Sequence, residues 1–162
     1  MREEDFAAKI TYCSIEELSA AQKQLVEQAK KACDRAYAPY SGFTVGAAVE
    51  LDNGEIVLGA NQENVAYPSG LCAERVALFS AAAQYPQVAP LRLAVAAKTM
   101  ALSPGGQPAF TTRPVAPCGA CRQVLSEVER RYGRSMEILL YGTQETAVIA
   151  SGKQLLPLSF SM

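Results

Sequence analysis

The chain has 162 residues, 49% of them hydrophobic, and its 15 basic and 16 acidic side chains leave a formal net charge of −1. This length and apolar content suit one folded domain, which we expect to span residues 1–162, and they exclude intrinsic disorder. Because the chain has no block of Lys and Arg, we expect no nucleic-acid partner.

The histidine and cysteine content limits the kinds of catalytic, metal-binding and disulfide chemistry that the chain can have. Histidine is absent, which excludes a hydrolase with an imidazole base and restricts a transition-metal site to thiolate and carboxylate ligands. The five cysteines, an odd number, argue against a disulfide framework.

No apolar stretch approaches the roughly 20 residues that cross a bilayer, and residues 1–5 are too acidic for a signal peptide. We therefore expect no membrane partner and a cytoplasmic location.

Helices and strands are predicted to alternate along the chain. Ser14 and Glu17 have the spacing of a capping box, and apolar side chains at helical spacing predict a first helix from there to about Ala36. An Asp-Asn-Gly turn at 52–54 predicts an antiparallel hairpin. The remaining apolar patterns predict strands at 44–51, 55–60, 91–99, 136–141 and 146–150, and helices at 71–84 and 119–132.

This alternation predicts a layered α/β domain in which one mixed, five-stranded sheet is flanked by helices. Segment 101–116 has no periodicity and contains Ser-Pro-Gly-Gly-Gln-Pro at 103–108. A long loop inside a compact domain is usually functional or disordered. We therefore expect segment 101–116 to shape either the mouth of a pocket or a subunit interface.

Two short motifs carry the candidate chemistry: Cys-Ala-Glu at 72–74 and Pro-Cys-Gly-Ala-Cys at 117–121. Together they resemble the thiolate version of the signature of zinc-dependent nucleobase deaminases. Catalytic zinc keeps three protein ligands and one open position, and Cys72, Cys118 and Cys121 supply three. Glu74 follows the first ligand closely and is placed to carry protons for a zinc-activated water. Both motifs begin predicted helices, whose N-termini stabilise thiolates.

These motifs occur together with Tyr-Ser-Gly-Phe-Thr-Val-Gly-Ala-Ala at 40–48, Asn-Gln-Glu-Asn at 61–64 and Leu-Leu-Pro-Leu-Ser-Phe at 155–160. The set resembles the small, all-cysteine, homotetrameric cytidine deaminases over most of the chain. The resemblance implies their three-layer cytidine-deaminase-like fold, a Zn²⁺ cofactor and a homotetramer. It also implies a nucleoside substrate, cytidine or deoxycytidine, which is hydrolysed to uridine or deoxyuridine plus ammonia in pyrimidine salvage.

The resemblance further implies which residues contact the substrate. Asn61 and Glu63 would bind the ribose hydroxyls, and the Glu63 carboxylate would repel a 5′-phosphate. Phe43 would stack near the base. The backbone N–H of Ala73 would bind the base carbonyl oxygen, and the backbone carbonyl of Ala116 would hold the departing amine. Taken without the resemblance, the polar 61–64 segment is also typical of a turn, and Phe43 of a core residue.

Three more roles follow from the resemblance. Glu74 would transfer protons to the pyrimidine ring and then to the leaving amine. Arg75 would compensate the negative charge of three thiolates through a hydrogen bond to a ligand sulfur, although a helical arginine also often points into solvent. Phe160, in an apolar C-terminal tail, would enter the active site of a neighbouring subunit. The alternative is that this tail packs on its own core.

Two other function classes remain open from the sequence. The first is a deaminase with a different substrate, such as an aminonucleoside antibiotic, a nucleotide or a base in RNA. The second is a non-enzymatic, zinc-stabilised binding module, in which Cys13 or Cys33 completes a closed site of four sulfurs. Cys33, which lies on the apolar stripe of the first predicted helix, is also typical of a buried core cysteine.

Overall fold

The computed structural model describes residues 1–100 and 106–162 and contains one mixed β-sheet with helices on both faces. The helices are α1 (Ala20–Ala32), α2 (Ala73–Gln84) and α3 (Gly119–Tyr132). The strands are β1 (Thr11–Cys13), β2 (Phe43–Leu51), β3 (Ile56–Ala60), β4 (Pro90–Thr99), β5 (Ala109–Phe110), β6 (Glu137–Tyr141) and β7 (Thr146–Ile149). None of the helices in the described ranges has the length and apolar character that a bilayer span requires.

The sheet has the strand order β1-β7-β6-β4-β2-β3, and β5 pairs with the end of β4. Strands β4 and β6 run parallel, whereas the other strand pairs in the described part of the chain are antiparallel. The predicted mixed sheet is confirmed, but it has seven strands rather than five. The two missed strands, β1 and β5, contain three and two residues, too few for an alternating pattern to be recognised in the sequence.

Strand β5 lies in segment 101–116, for which we expected an irregular loop. Residues 101–105 lie outside the described residues. In the remainder, Ala109 and Phe110 pair with Thr99 and Lys98, and the backbone N–H of Thr111 donates to the carbonyl of Ala97. This part of the segment therefore extends the sheet beside the end of β4.

Successive side chains of the central strands point to opposite faces of the sheet and so divide the core into two layers. On one face, Val49, Val95 and Ile138 pack in a cluster to which α2 and α3 contribute. On the other face, Ala48 and Leu139 pack in a cluster to which α1 contributes. Because side chains alternate along a strand, each central strand fills both layers. The predicted three-layer fold is confirmed.

The first helix begins later than predicted. The capping box of Ser14 and Glu17 exists, but it begins only the short 3₁₀ helix Ile15–Glu17. A second capping box, formed by Ser19 and Gln22, begins α1. Between them the buried Leu18 has an extended backbone, which ends the first helical turn. Two adjacent capping boxes look alike in sequence, and the anchoring of Leu18 in the core decides where the long helix starts.

The C-terminal segment, residues 151–162, is held against α3 by a buried carboxylate. Glu129 is 2% exposed. It accepts hydrogen bonds from the backbone N–H groups of Met136 at 2.7 Å, Gly152 at 2.8 Å and Lys153 at 3.1 Å, and from the hydroxyl of Ser151 at 2.8 Å. A buried carboxylate needs such donors to offset its lost hydration. Glu129 thereby fixes the start of the 3₁₀ helix Gly152–Leu155.

The contact between α1 and β2 depends on Gly46. A Cβ atom at this position would overlap the carbonyl oxygen of Ala29 and lie 2.5 Å from the backbone nitrogen of Cys33. Because both obstacles are backbone atoms, Gly46→Ala must move α1 away from the sheet, and we expect a loss of about 3 kcal/mol in the free energy of unfolding. Urea denaturation measures this loss.

The matched control for Gly46→Ala is Gly119→Ala, whose added Cβ meets no atom within 4 Å. We expect this control to change the free energy of unfolding by no more than about 0.5 kcal/mol. Equal effects of the two substitutions would show that the close approach of α1 to β2 does not limit stability.

Candidate metal centre

Three cysteine sulfurs meet where the N-termini of α2 and α3 converge. Cys72 is the N-cap residue of α2, Cys118 is the N-cap residue of α3, and Cys121 lies in the first turn of α3. Their Sγ atoms all lie within 4.8 Å of one another. The separation is 3.7 Å between Cys72 and Cys118 and 3.4 Å between Cys118 and Cys121.

This geometry fits zinc. Tetrahedral zinc with bonds of about 2.3 Å to sulfur requires sulfur atoms about 3.8 Å apart, close to the separations observed. Neither remaining cysteine belongs to the cluster. The thiol of Cys33 donates to the carbonyl of Ala96 at 3.3 Å in the core layer of α1, and the thiol of Cys13 lies 3.8 Å from the carbonyl of Thr146. Three sulfurs leave a fourth coordination position open, as a catalytic site requires.

Two thiols of the cluster have pKa values that are shifted in opposite directions. A hydrogen bond from Cys121 and contact with Arg75 lower the pKa of Cys72 to about 5. The pKa of Cys121 is raised, because its thiol interacts with Cys72 and because the residue is buried. Two helix N-termini also favour thiolate at this point. At least one ligand is therefore prepared as thiolate near neutral pH.

Arg75 points toward the cluster rather than into solvent. Its Nη2 atom lies 3.7 Å from Cys72 Sγ, and this contact raises the pKa of the guanidinium. Its Nε atom is buried without a hydrogen-bond partner among the described residues. The arrangement can place one positive charge beside thiolates that would otherwise repel one another.

Glu74 occupies the first turn of α2 and is only 5% exposed. Burial raises the pKa of its carboxyl group, and the charge of the neighbouring Cys72 raises it further. A buried carboxyl group with a raised pKa beside a metal cluster is suited to proton transfer, because burial favours its protonated form relative to an exposed glutamate.

A cleft of about 470 Å³ opens beside the cluster and brings several predicted residues together. It is lined by Cys72 and Arg75 and by the predicted ribose-binding residues Asn61 and Glu63. The Glu63 carboxylate accepts a hydrogen bond from the hydroxyl of Ser41, and this bond is the main reason that its pKa is lowered. Glu63 therefore presents a negative charge to the cleft.

Asn61 joins the end of β3 to the start of β2. Its Oδ1 atom accepts from the backbone N–H of Val45 at 2.7 Å, and its Nδ2 atom donates to the carbonyl of Phe43 at 2.9 Å. An amide has two acceptor and two donor positions, so one of each remains for a ligand. The alternative that segment 61–64 is a structural turn therefore describes part of the role of Asn61, because its side chain also fixes the neighbouring backbone.

The other predicted substrate contacts are not gathered in this cleft. Phe43 is half-buried at the start of β2, and Ala73 is buried at the start of α2. Ala116 is exposed and lines a second cleft with residues of the N-terminal segment. Phe160 is 71% exposed on the C-terminal segment. Within one chain, Phe43, Ala73, Ala116 and Phe160 are therefore not among the residues that line the cleft.

Sequence reasoning missed two aromatic residues of the cleft. Tyr40 and Tyr67 line it and contact each other edge to face, with ring centroids 6.2 Å apart. Both are more than half exposed, so their rings present apolar surface at the wall of the cleft. Tyr40 lies in the motif at 40–48, from which we singled out only Phe43, so the motif itself carried the missed signal.

We expect Cys121→Ser to reduce zinc content well below the value of about one ion per chain that a three-sulfur site holds. Cys33→Ser is the control and should retain full zinc, because the Cys33 thiol lies in a different core layer. Zinc analysis of the purified proteins measures both. Loss of metal from Cys33→Ser would indicate that the site uses a fourth sulfur.

Comparison with known proteins finds similar sequences and structures. A family model described as the cytidine and deoxycytidylate deaminase zinc-binding region matches residues 19–132. The cytidine deaminase of Halalkalibacterium halodurans is 42% identical over 107 residues, which cover 66% of this chain and 71% of that protein. The cytidine deaminase of Sporosarcina psychrophila is 38% identical over 139 residues, which cover 86% of this chain and 90% of that protein.

The structural comparison agrees with the sequence comparison. The crystal structure of cytidine deaminase from Burkholderia pseudomallei has a TM-score of 0.69 and 37% sequence identity, and it covers 88% of this chain and 100% of that chain. The matched region contains all three cysteines of the cluster. The chain therefore belongs to the family of zinc-binding cytidine and deoxycytidylate deaminases.

Proposed function

We propose that the protein is a zinc-dependent cytidine deaminase, which hydrolyses cytidine or deoxycytidine to uridine or deoxyuridine and releases ammonia. The observation that carries this proposal is the three-sulfur cluster with a buried carboxyl group in the adjacent helical turn. We further propose that one domain over residues 1–162 performs the reaction, in cytoplasmic pyrimidine salvage. A non-enzymatic zinc module would need a closed four-sulfur site, which the positions of Cys13 and Cys33 do not favour.

In this mechanism Cys72, Cys118 and Cys121 would hold the zinc, which when bound would supply a water activated for attack on C4 of the pyrimidine. Glu74 would accept one proton from the attacking water and deliver it to the ring nitrogen. It would then take the second proton of the same oxygen, now a hydroxyl on C4, and transfer it to the exocyclic amine, which leaves as ammonia while the C4 carbonyl forms. Its burial keeps the transferred proton away from bulk solvent.

Arg75 balances the charge of the metal site in this proposal. Three thiolates and Zn²⁺ have a net charge of −1, which opposes removal of a proton from water. The guanidinium at 3.7 Å from Cys72 Sγ adds one positive charge. Its interaction with the sulfur also reduces the electron density that the thiolate donates to the metal, which favours activation of the water.

The cleft supports a nucleoside as substrate. Glu63 and Asn61 lie on its wall and can bind ribose hydroxyls through their remaining acceptor and donor positions. Because Glu63 is negatively charged, a 5′-phosphate would be repelled, which favours a nucleoside over a nucleotide. As the resemblance implies, we also propose that Phe43 and the main chain of Ala73 and Ala116 contact the base, although none of the three lines the cleft of the single chain.

We expect Glu74→Gln to fold and to retain zinc but to lose at least about a hundredfold in kcat, because an amide cannot transfer protons. The assay measures ammonia release from cytosine, cytidine, deoxycytidine and cytidine 5′-monophosphate. We expect the wild-type protein to be active on the two nucleosides and weakest on the monophosphate.

Glu127→Gln is the matched control. Glu127 forms an exposed ion pair with Arg130 on α3, so we expect unchanged turnover. Retained activity in Glu74→Gln would remove Glu74 from the mechanism. A wild-type protein that prefers the monophosphate would contradict the proposed role of Glu63, and one that releases no ammonia from any of these compounds would contradict the proposed reaction.

We also propose a homotetramer in which Phe160 of one subunit forms part of the pyrimidine pocket of another. The C-terminal segment has three strongly exposed apolar side chains: Leu158 is 82% exposed, Phe160 71% and Met162 99%. Its backbone is nevertheless fixed, because the side-chain amide of Gln123 both donates to the carbonyl of Phe160 and accepts from its N–H. A fixed backbone with outward apolar side chains favours an intersubunit contact over packing on the chain's own core.

We expect Phe160→Ala to raise KM about tenfold, because loss of a buried aromatic contact costs about 1.4 kcal/mol or more of binding free energy. Met162→Ala is the control and should leave KM unchanged. Steady-state kinetics and light scattering measure the two parts of the proposal. A fully active monomer, or an unchanged KM in Phe160→Ala, would show that each pocket is complete within one chain.

A further inference from the structure

Arg122 connects the metal cluster to the C-terminal segment. It lies on α3 directly after the ligand residue Cys121. Its Nε atom donates to the backbone carbonyl of Pro117 at 2.8 Å, and its Nη1 atom donates to the backbone carbonyl of Leu155 at 3.2 Å. One partly buried guanidinium therefore joins the residue before Cys118 to a residue of the C-terminal segment.

The contact at Pro117 bears directly on the orientation of Cys118. Since a peptide bond is planar, a hydrogen bond that fixes the Pro117 carbonyl also fixes the plane that leads into Cys118. The backbone N–H of Arg122 donates to the carbonyl of Cys118 at 2.9 Å as the first helical hydrogen bond of α3, so the helix fixes the peptide plane after Cys118 and the Arg122 side chain restrains the plane before it.

Cys118 depends more on such support than the other two cysteines. Cys121 is fully buried within α3, and Cys72 contacts Arg75. Cys118 is the exposed residue of the cluster and lies at the N-cap of α3, where its own N–H has no helical partner. Its position is therefore set by the backbone before it, which Arg122 restrains.

The second contact gives the guanidinium a rigid anchor. Leu155 is 8% exposed and ends the 3₁₀ helix Gly152–Leu155. Glu129, two helical turns after Arg122 on α3, accepts hydrogen bonds from the first residues of that helix. The carbonyl of Leu155 is thus held in place independently of the metal cluster.

We propose that Arg122 is a positioning residue, which orients the zinc ligand Cys118 by tying Pro117 to the C-terminal segment. The planar guanidinium has donors in a fixed fork and can hold two carbonyls at once, whereas a lysine ammonium at the same position has one donor atom. The inference rests on the proposed function only in taking Cys118 as a zinc ligand. Its consequence is that zinc retention depends on a side chain that does not touch the metal.

The experiment measures zinc transfer from the purified holoprotein to a colorimetric chelator and uses no substrate. We expect Arg122→Ala to release zinc between about ten and a hundred times faster than wild type, the range typical of lost contacts behind a metal ligand. Arg122→Lys should restore part of the retention. In the Co²⁺-substituted protein, Arg122→Ala should also shift the absorption bands of the thiolate-bound metal.

Arg130→Ala is the matched control. Arg130 lies on the same helix and donates to a main-chain carbonyl of the same segment, that of Met162 at 2.8 Å, but it is remote from the ligand residues in sequence. We expect wild-type zinc retention in this variant. Equal acceleration by Arg122→Ala and Arg130→Ala would instead indicate a general loosening of the C-terminal segment and would overturn the proposal.

The other possible results of the zinc-release experiment also test the role of Arg122. If Arg122→Ala folds and releases zinc at the wild-type rate, the proposal is wrong and the proposed deaminase function is unaffected. If Arg122→Ala does not fold, Arg122→Lys takes its place, and a wild-type release rate in that variant overturns the proposal. A wild-type protein that binds no zinc would overturn both the role of Arg122 and the proposed function.

Discussion

Zinc binding by three cysteines requires three neighbouring thiolates, and their mutual repulsion is the constraint on which the arrangement of this fold depends. The three sulfurs lie within 4.8 Å of one another, a separation at which like charges are strongly unfavourable unless positive charge is supplied. The chain supplies it through two helix N-termini and the guanidinium of Arg75, in addition to the metal. The parallel pairing of β4 with β6 and the packing of α2 and α3 on one sheet face bring these groups together.

Two carboxyl groups near the metal cluster have pKa values that are shifted in opposite directions. Burial raises the pKa of Glu74, whereas hydrogen bonds from Ser41 and Tyr40 lower the pKa of Glu63. The protonated form is therefore favoured for Glu74, and the carboxylate form for Glu63 at the wall of the cleft. The two roles arise from the surroundings of the carboxylates, since their intrinsic chemistry is the same.

The sequence predicted the parts of the fold and site that are encoded over short distances. The hairpin of β2 and β3, the helix over 119–132 and the spacing of Cys118 and Cys121 all follow from local patterns, and the structure confirms the two elements and brings both sulfurs into the cluster. Contacts between distant parts of the chain left no such pattern. The pairing of β1 with β7, the contact of Tyr40 with Tyr67 and the link from Arg122 to Leu155 each join residues that only the folded chain makes neighbours.

The hydrogen bonds that attach the C-terminal segment to α3 are made almost entirely to its main chain. Arg122, Gln123 and Arg130 contact backbone atoms of Leu155, Phe160 and Met162, and Glu129 adds only one side-chain partner, Ser151. Main-chain groups are the same whatever residue occupies a position. Apart from Phe160, the outward side chains of this segment can therefore change while its course along the helix is preserved, so that its surface properties can vary without redesign of the attachment.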